Sequence, residues 1–228
     1  MSSRVALIVA GGSGLRMGNT VPKQFIPLNG LPILMRTLNA FYSLSPKPEI
    51  ILVLPEQEQN RWTDLCQEYS YKVPHTIVNG GKTRFQSVKN GLDVLKNEGL
   101  VAIHDGVRPF ITTSLIEQCY TVAQQKGNAI PAIKPHESVR IGTVENNKIE
   151  NRDMCWLIQT PQVFHVNEIK KYYNTGWQPH FTDDASVAEF NGAKINIVEG
   201  DRENIKITTP LDLMWANAFI EIRSEQGQ

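Results

Sequence analysis

Two cations stand close behind a glycine cluster near the N-terminus: Arg16 and Lys23 follow Gly11, Gly12 and Gly14 in VALIVAGGSGLRMGNTVPKQF. Glycine has no Cβ, so the amides of such a turn can close on an anion. The cations beyond it suit phosphate, arginine as a bidentate fork and lysine as a point charge. An arbitrary Lys or Arg is a solvated surface charge, but Pro22 directly before Lys23, in a loop already rich in glycine, favours a placed one. The spacing excludes two familiar phosphate loops: a Walker A turn needs Lys-Ser or Lys-Thr after its last glycine, and the dinucleotide fingerprint needs glycine where Met17 stands. A second charged set, Asp105 and Arg108, lies in LVAIHDGVRPF. Asp105 alone reads equally as a turn cap; the adjoining Arg108-Pro109 favours a site. His104 reads as a packed residue that orients this loop, not as a general base. Lys206 in ENIKITTP also fits an outward strand residue, and Arg152 in NNKIENRDM also fits a solvated hairpin charge.

Residues of this kind need a frame. VALIVA at 5 to 10, EIILVL at 49 to 54, HTIVNG and LVAIHDG at 100 to 106 are strand-like runs. They alternate with stretches of helical period: ILMRTLNAFYSL, Gln57 to Tyr69 and RFQSVKNGLDVLKN. That alternation predicts an α/β fold, a Rossmann-like, mostly parallel sheet with helices on both faces. Ligands in such sheets sit at the carboxyl ends of the strands, where the glycine turn and HDGVRP both fall. After Pro131 the rhythm breaks, and residues from about 135 to 162 predict a projecting β arm with a turn at Glu145 to Lys148. An isolated arm is weakly stable, so a second subunit is expected against it. Helices are expected near Asn167 to Tyr173 and from about Asp183, a strand at KINIVEG, and a last helix opening at Pro210.

The 228 residues suit one domain spanning 1–228, and Lys+Arg and Asp+Glu are balanced at 23 each, so any charge chemistry is local. With no basic block, nucleic-acid binding is not expected. The start MSSRVALIVAGG has neither a signal-peptide cleavage region nor twenty apolar residues, so no membrane association and a cytoplasmic location are expected. Cys66, Cys119 and Cys155 lack metal-site spacing and read as reduced core thiols; Trp62, Trp156, Trp177 and Trp215 read as core or interface aromatics.

Taken in order, AGGSGLRMG with PKQF, then GGKTRFQSV, HDGVRPF, TPQVF, FTDDAS and EGDRENIKITTP resemble the 2-C-methyl-D-erythritol 4-phosphate cytidylyltransferases of isoprenoid biosynthesis, over about residues 5 to 213. The ribitol 5-phosphate cytidylyltransferases share most of these motifs. The resemblance implies transfer of a cytidylyl group from CTP to a polyol phosphate, with Mg²⁺ as cofactor, release of pyrophosphate, and a homodimer whose arms embrace. Methylerythritol phosphate is the expected acceptor and ribitol phosphate the alternative. By the same resemblance Ala10, Gly11 and Gly12 hold CTP, Gly81 and Ser87 enclose the cytosine, and Arg16 and Lys23 stabilise the transition state. Asp105 and Arg108 lie between the two substrates, Arg152, Thr160 and Ser138 bind the acceptor from the arm, Lys206 positions its phosphate, and Thr182 supports the site. Lys82 departs from the pattern, standing where many relatives carry an acidic or small polar residue.

The chemistry implied needs no protein nucleophile or base, because a phosphate acceptor is already an anion. Its difficulty is repulsion between two polyanions, and cations aimed at the developing charge answer it. A catalytically silent nucleotide-binding regulator is the reading from another class; it would have no use for cations on an acceptor side.

Overall fold

The structure, a computed structural model, describes residues 3–11 and 21–225. Its first half runs β1 (Arg4–Val9), a small hairpin of β2 (Pro27–Leu28) and β3 (Leu31–Pro32), α1 (Ile33–Tyr42), β4 (Glu49–Leu54), α2 (Gln59–Glu68), β5 (Thr76–Asn79), α3 (Arg84–Asp93), β6 (Leu100–Asp105) and α4 (Thr113–Lys126). The second half runs β7 (Asn128–Ile133), β8 (Val139–Gly142), β9 (Asn147–Glu150), β10 (Leu157–Ile158), β11 (Gln162–His165), α5 (Val166–Tyr172), α6 (Asp184–Phe190), β12 (Ile197–Glu199) and α7 (Pro210–Glu225).

The main sheet follows the order β10-β7-β11-β6-β1-β4-β5, with β12 also on β7. β6, β1, β4 and β5 are mutually parallel, and β11 enters antiparallel between β6 and β7. Both faces are covered, as continuous apolar strands require. Ala6, Ile8, Ile50, Leu52 and Ala102 face a core with Leu34 and Leu38 of α1 and Tyr120 of α4. The alternate residues Val5, Leu7, Ile51, Val53 and Ile103 face a second core with Phe85 and Val88 of α3 and Ile169 of α5. Each fully buried Leu or Ile in these layers stabilises the fold by about 1.5–3 kcal/mol.

A third, smaller cluster joins Leu28, Ile33, Val107 and Phe110 to Ile207 and to Ala216 of α7. α7 begins where the sequence places it: Thr209 Oγ1 accepts from the Asp212 N–H, while the Asp212 carboxylate accepts from the Thr209 N–H. The Ile207 N–H donates to Val107 at 3.0 Å, tying the 205–208 segment to the turn after β6.

β8 and β9 pair into an antiparallel hairpin whose Val144 and Ile149 are 92% and 71% exposed. Its turn falls earlier than expected, at 143–146, and Asn147 and Lys148 are strand residues. Gly142, at φ 128° opposite Asn147, accounts for the shift, because a Cβ there would lie 2.2 Å from the Asn146 carbonyl oxygen. One expectation about packing is corrected in part: Cys119 is buried and half-buried Cys66 packs against the first core, but Cys155, also half-buried, belongs to no core cluster of the described residues. Trp62 is core, and Trp156, Trp177 and Trp215 are exposed in the single chain. Among the described residues no helix is long and apolar enough to cross a membrane.

Candidate active site

Register brings the two sequence-marked stretches together where they leave the sheet: Val9, the end of β1, pairs with Asp105, the end of β6, so Ala10 and Gly106 leave the sheet side by side. Beyond those strand ends lies a cavity of about 430 Å³ lined by Ala10, Gly11, Lys23, Gly81, Lys82, Arg84, Ser87, Asp105 and Lys206, among others. Among the described residues four cations line it, Lys23, Lys82, Arg84 and Lys206, against the single carboxylate of Asp105. Such a wall attracts a polyanion.

A second cavity of about 220 Å³ adjoins the first, lined by Arg84, Asp105, Arg108, Gln159, Thr160, Gln162, Thr182, Asp183 and Lys206, with Ile158. Arg84, Asp105 and Lys206 line both. Asp105 is the hub of that shared wall. Lys206 Nζ lies 2.9 Å and Arg108 Nε 3.5 Å from its Oδ2, and Arg84 Nε lies 3.5 Å from its Oδ1. Burial by itself would raise the Asp105 carboxyl; the charges of Arg84, Lys206 and Arg108 outweigh it and hold the group well below the usual carboxylate range. Burial lowers the Arg108 guanidinium from its ordinary value, and Asp105 opposes that shift. Lys206 reaches Asp105 because Ile205 and Ile207 face the third core cluster, which turns the residue between them outward, into the cavities.

The loop carrying Asp105 is held from behind. His104, fully buried, offers Nε2 to the Arg108 carbonyl at 3.2 Å, so Nε2 carries the proton and Nδ1 accepts from the Thr160 hydroxyl at 3.1 Å. The Thr160 oxygen in turn accepts from the Asp105 N–H at 3.1 Å. Burial pushes the His104 imidazole down to about 4, so it is neutral near pH 7. Thr160 lines the smaller cavity, and through these bonds its hydroxyl also holds the loop that carries Asp105.

Ser87, Gly81 and Ala10 also act through shape. Ser87 Oγ accepts from the Gly81 N–H and donates to the Thr83 carbonyl, both at 3.0 Å, closing the 81–84 turn onto the first turn of α3. Gly81 has no room for a side chain, since a Cβ would lie 2.1 Å from Gln86. Both backbone groups of Ala10 are engaged: its N–H donates to Val53 and its carbonyl accepts from Gln24 Nε2. Thr182 is exposed on the smaller cavity.

Other expected residues stand apart. Ser138 and Arg152 line neither cavity of the single chain; both are exposed on the arm, where Arg152 Nη1 donates to the His136 carbonyl at 2.6 Å. Gly12 and Arg16 lie outside the described residues. Sequence reasoning missed Gln24, Arg84, Gln162 and Asp184. Gln24, buried beside Lys23, pins the lysine's segment to the end of β1. Gln162 bridges β11 to the α6 cap, donating to Asp183 Oδ2 and accepting from the Ala185 N–H. Their signal was position inside the motifs PKQF, GGKTRF, TPQVF and FTDDAS.

For a divalent cation the donor set is poor. Among the described residues no group of three His, Cys, Asp or Glu side chains could hold a metal. Asp105 is bound to three cations, and both oxygens of Asp183 accept, from the Ser186 N–H and from Gln162.

The profile of the 2-C-methyl-D-erythritol 4-phosphate cytidylyltransferase family matches residues 4–222. The Bacteroides fragilis protein of that name is 50% identical over 217 residues, covering 95% of this chain and 99% of the relative. A Clostridium perfringens protein of the same name is 38% identical over 226 residues, covering 97% and 100%. The crystal structure of a 4-diphosphocytidyl-2C-methyl-D-erythritol synthase from Anaerococcus prevotii superposes with a TM-score of 0.83 at 31% identity, over 96% of this chain and 98% of that one.

Proposed function

The chain belongs to the 2-C-methyl-D-erythritol 4-phosphate cytidylyltransferase family, and on that premise we propose that it transfers the cytidylyl group of CTP to 2-C-methyl-D-erythritol 4-phosphate. The products are 4-diphosphocytidyl-2-C-methyl-D-erythritol, an isoprenoid precursor, and pyrophosphate. One observation carries the reading: two cavities, both rich in cations, meet at a common wall of Arg84, Asp105 and Lys206. A donor triphosphate in the larger cavity and an acceptor phosphate in the smaller would meet in line there, where Lys206 is at hand for the acceptor.

In this reading Lys23 and Arg16 stabilise charge developing on the α-phosphoryl group and on departing pyrophosphate. Ala10, Gly11 and Gly12 would hold CTP, and Gly81 and Ser87 would enclose its base. Arg152 and Ser138, outside both cavities in one chain, would reach the acceptor from a second copy. The exposed apolar residues Ile141, Val144 and Ile149 of the arm suit burial against such a copy, so the reading includes a homodimer. Among the described residues the carboxylates form no metal cage, so in this reading Mg²⁺, a hard cation that keeps phosphate and water ligands, is carried in by the triphosphate. A CTP consumer of this kind suits the cytoplasm.

Pyrophosphate release from CTP, assayed with methylerythritol phosphate and with ribitol 5-phosphate in separate reactions, tests the reading. Release with the first acceptor supports it, release only with the second moves the chain to the sister activity, and silence with both overturns transfer.

A further inference from the structure

Asp184 is fully buried, and nothing in the transfer chemistry above uses it. Its oxygens take three bonds. Arg84 Nη1 donates to Oδ1 at 2.8 Å, Arg84 Nη2 donates to Oδ2 at 2.7 Å, and the Tyr173 hydroxyl donates to Oδ1 at 2.6 Å. The paired N–H bonds fix the plane of the guanidinium. Tyr173, itself buried and stacked on Phe85 at 4.6 Å, fixes the carboxylate. Burial alone would lower the Arg84 guanidinium; Asp184 and then Asp105 raise it well above its ordinary value, so the charge is permanent.

As a plain tie between α3 and α6 this arrangement is a poor choice, because well-packed apolar residues hold two helices at least as well as a buried ion pair. The distinguishing feature is the third edge of the guanidinium. Arg84 Nε faces Asp105 Oδ1 at 3.5 Å, in the wall common to both cavities, while Lys206 and Arg108 take Oδ2. An arginine released from Asp184 could turn two parallel N–H groups onto Asp105 and compete for Oδ2.

We propose that Arg84 is a positioning residue for the transfer: Asp184 and Tyr173 clamp its fork, and its remaining edge occupies Oδ1 of Asp105, leaving Oδ2 to Lys206 and Arg108 where donor and acceptor meet. The inference rests on the transfer reaction proposed above and adds a three-residue support that acts through Asp105.

The test compares the wild type with Asp184→Asn, Tyr173→Phe and Arg84→Lys. For each, kcat and the KM for CTP and for methylerythritol phosphate are measured, together with the thermal midpoint. Asp184→Asn and Arg84→Lys are expected to lower kcat about 10- to 100-fold, the loss that follows a misplacement of about 1 Å, with the CTP KM unchanged. Tyr173→Phe is expected to lower kcat less, in the same pattern. A lowered midpoint with unchanged kcat would make the clamp a structural tie and overturn the inference. A raised CTP KM with unchanged kcat would make Arg84 a nucleotide ligand and also overturn it. If Asp184→Asn does not fold, Tyr173→Phe and Arg84→Lys decide by the same criteria. An inactive wild type overturns the transfer reading and the inference with it; an active wild type with unaltered variants overturns the inference alone.

Discussion

Acidification should weaken this fold through one residue before its carboxylates titrate. His104 is buried with both ring nitrogens bonded, Nε2 donating to Arg108 and Nδ1 accepting from Thr160, and a second proton on Nδ1 would break the Thr160 bond and bury a charge. Its folded value is pushed down to about 4, from about 6.5 in an unfolded chain. A depressed histidine lets the unfolded state bind more protons between those values, so stability is complete above about pH 6.5 and is lost as the pH falls toward 4. Taking both values, the loss from pH 7.5 to pH 5.0 is about 2 kcal/mol. For a chain of this length that is a drop of about 4–8 °C in the unfolding midpoint. Scanning calorimetry on the wild type and His104→Gln at pH 7.5, 6.5, 5.5 and 5.0 isolates the effect, because the other groups titrate alike in both. The variant should start lower and decline less, by those 4–8 °C. Parallel curves for the two proteins would refute the assigned tautomer and the neutral imidazole.

Three further outcomes follow from the site. Asp105→Asn removes the anion from among Arg84, Arg108 and Lys206 and should destabilise the fold by about 3–5 kcal/mol. Because the carboxyl is held low, its stabilisation is present above about pH 3.9 and is lost only as the pH falls below that, so the deficit in chemical denaturation should be level from pH 5 to 8; a deficit varying across that window would contradict the depressed value. Lys23→Ala should lower turnover about 100-fold or more with the fold intact, and near-normal pyrophosphate release would remove Lys23 from the proposed chemistry. Arg152→Ala should raise the KM for the acceptor or lower kcat without changing CTP affinity; calorimetry showing weakened CTP binding would contradict a role on the acceptor side.

Much of the frame was legible because its causes are local. Continuous apolar runs such as VALIVA and EIILVL became strands buried on both faces, and their alternate residues separate cleanly into two cores. Helix starts were legible where caps are local. Thr83 caps α3, Asp183 caps α6 with a reciprocal bond from Ser186, and Thr209-Pro210 opens α7. The hairpin turn differs for an equally local reason: the polar run Glu145 to Lys148 suits a turn by composition, but Gly142 is the residue whose backbone admits it.

The site was legible only where its residues sit next to their own cause. Asp105 and Arg108 are three apart on one turn, and their pairing follows from that turn. Lys206 was ambiguous because an outward residue in an alternating segment is ordinarily solvated; here outward faces Asp105, 101 positions earlier in the chain. Arg84 and Asp184 are likewise a hundred apart, and no spacing rule joins them; only β11 and α6, which set the α6 cap beside α3, bring the two together. Thr160 shows the same in another form: its motif names it for the site, while the buried imidazole that its hydroxyl meets lies 56 positions away. A motif therefore identifies which residues converge, whereas the role each plays is decided by which partner takes its last donor or acceptor, and that partner is set by tertiary packing.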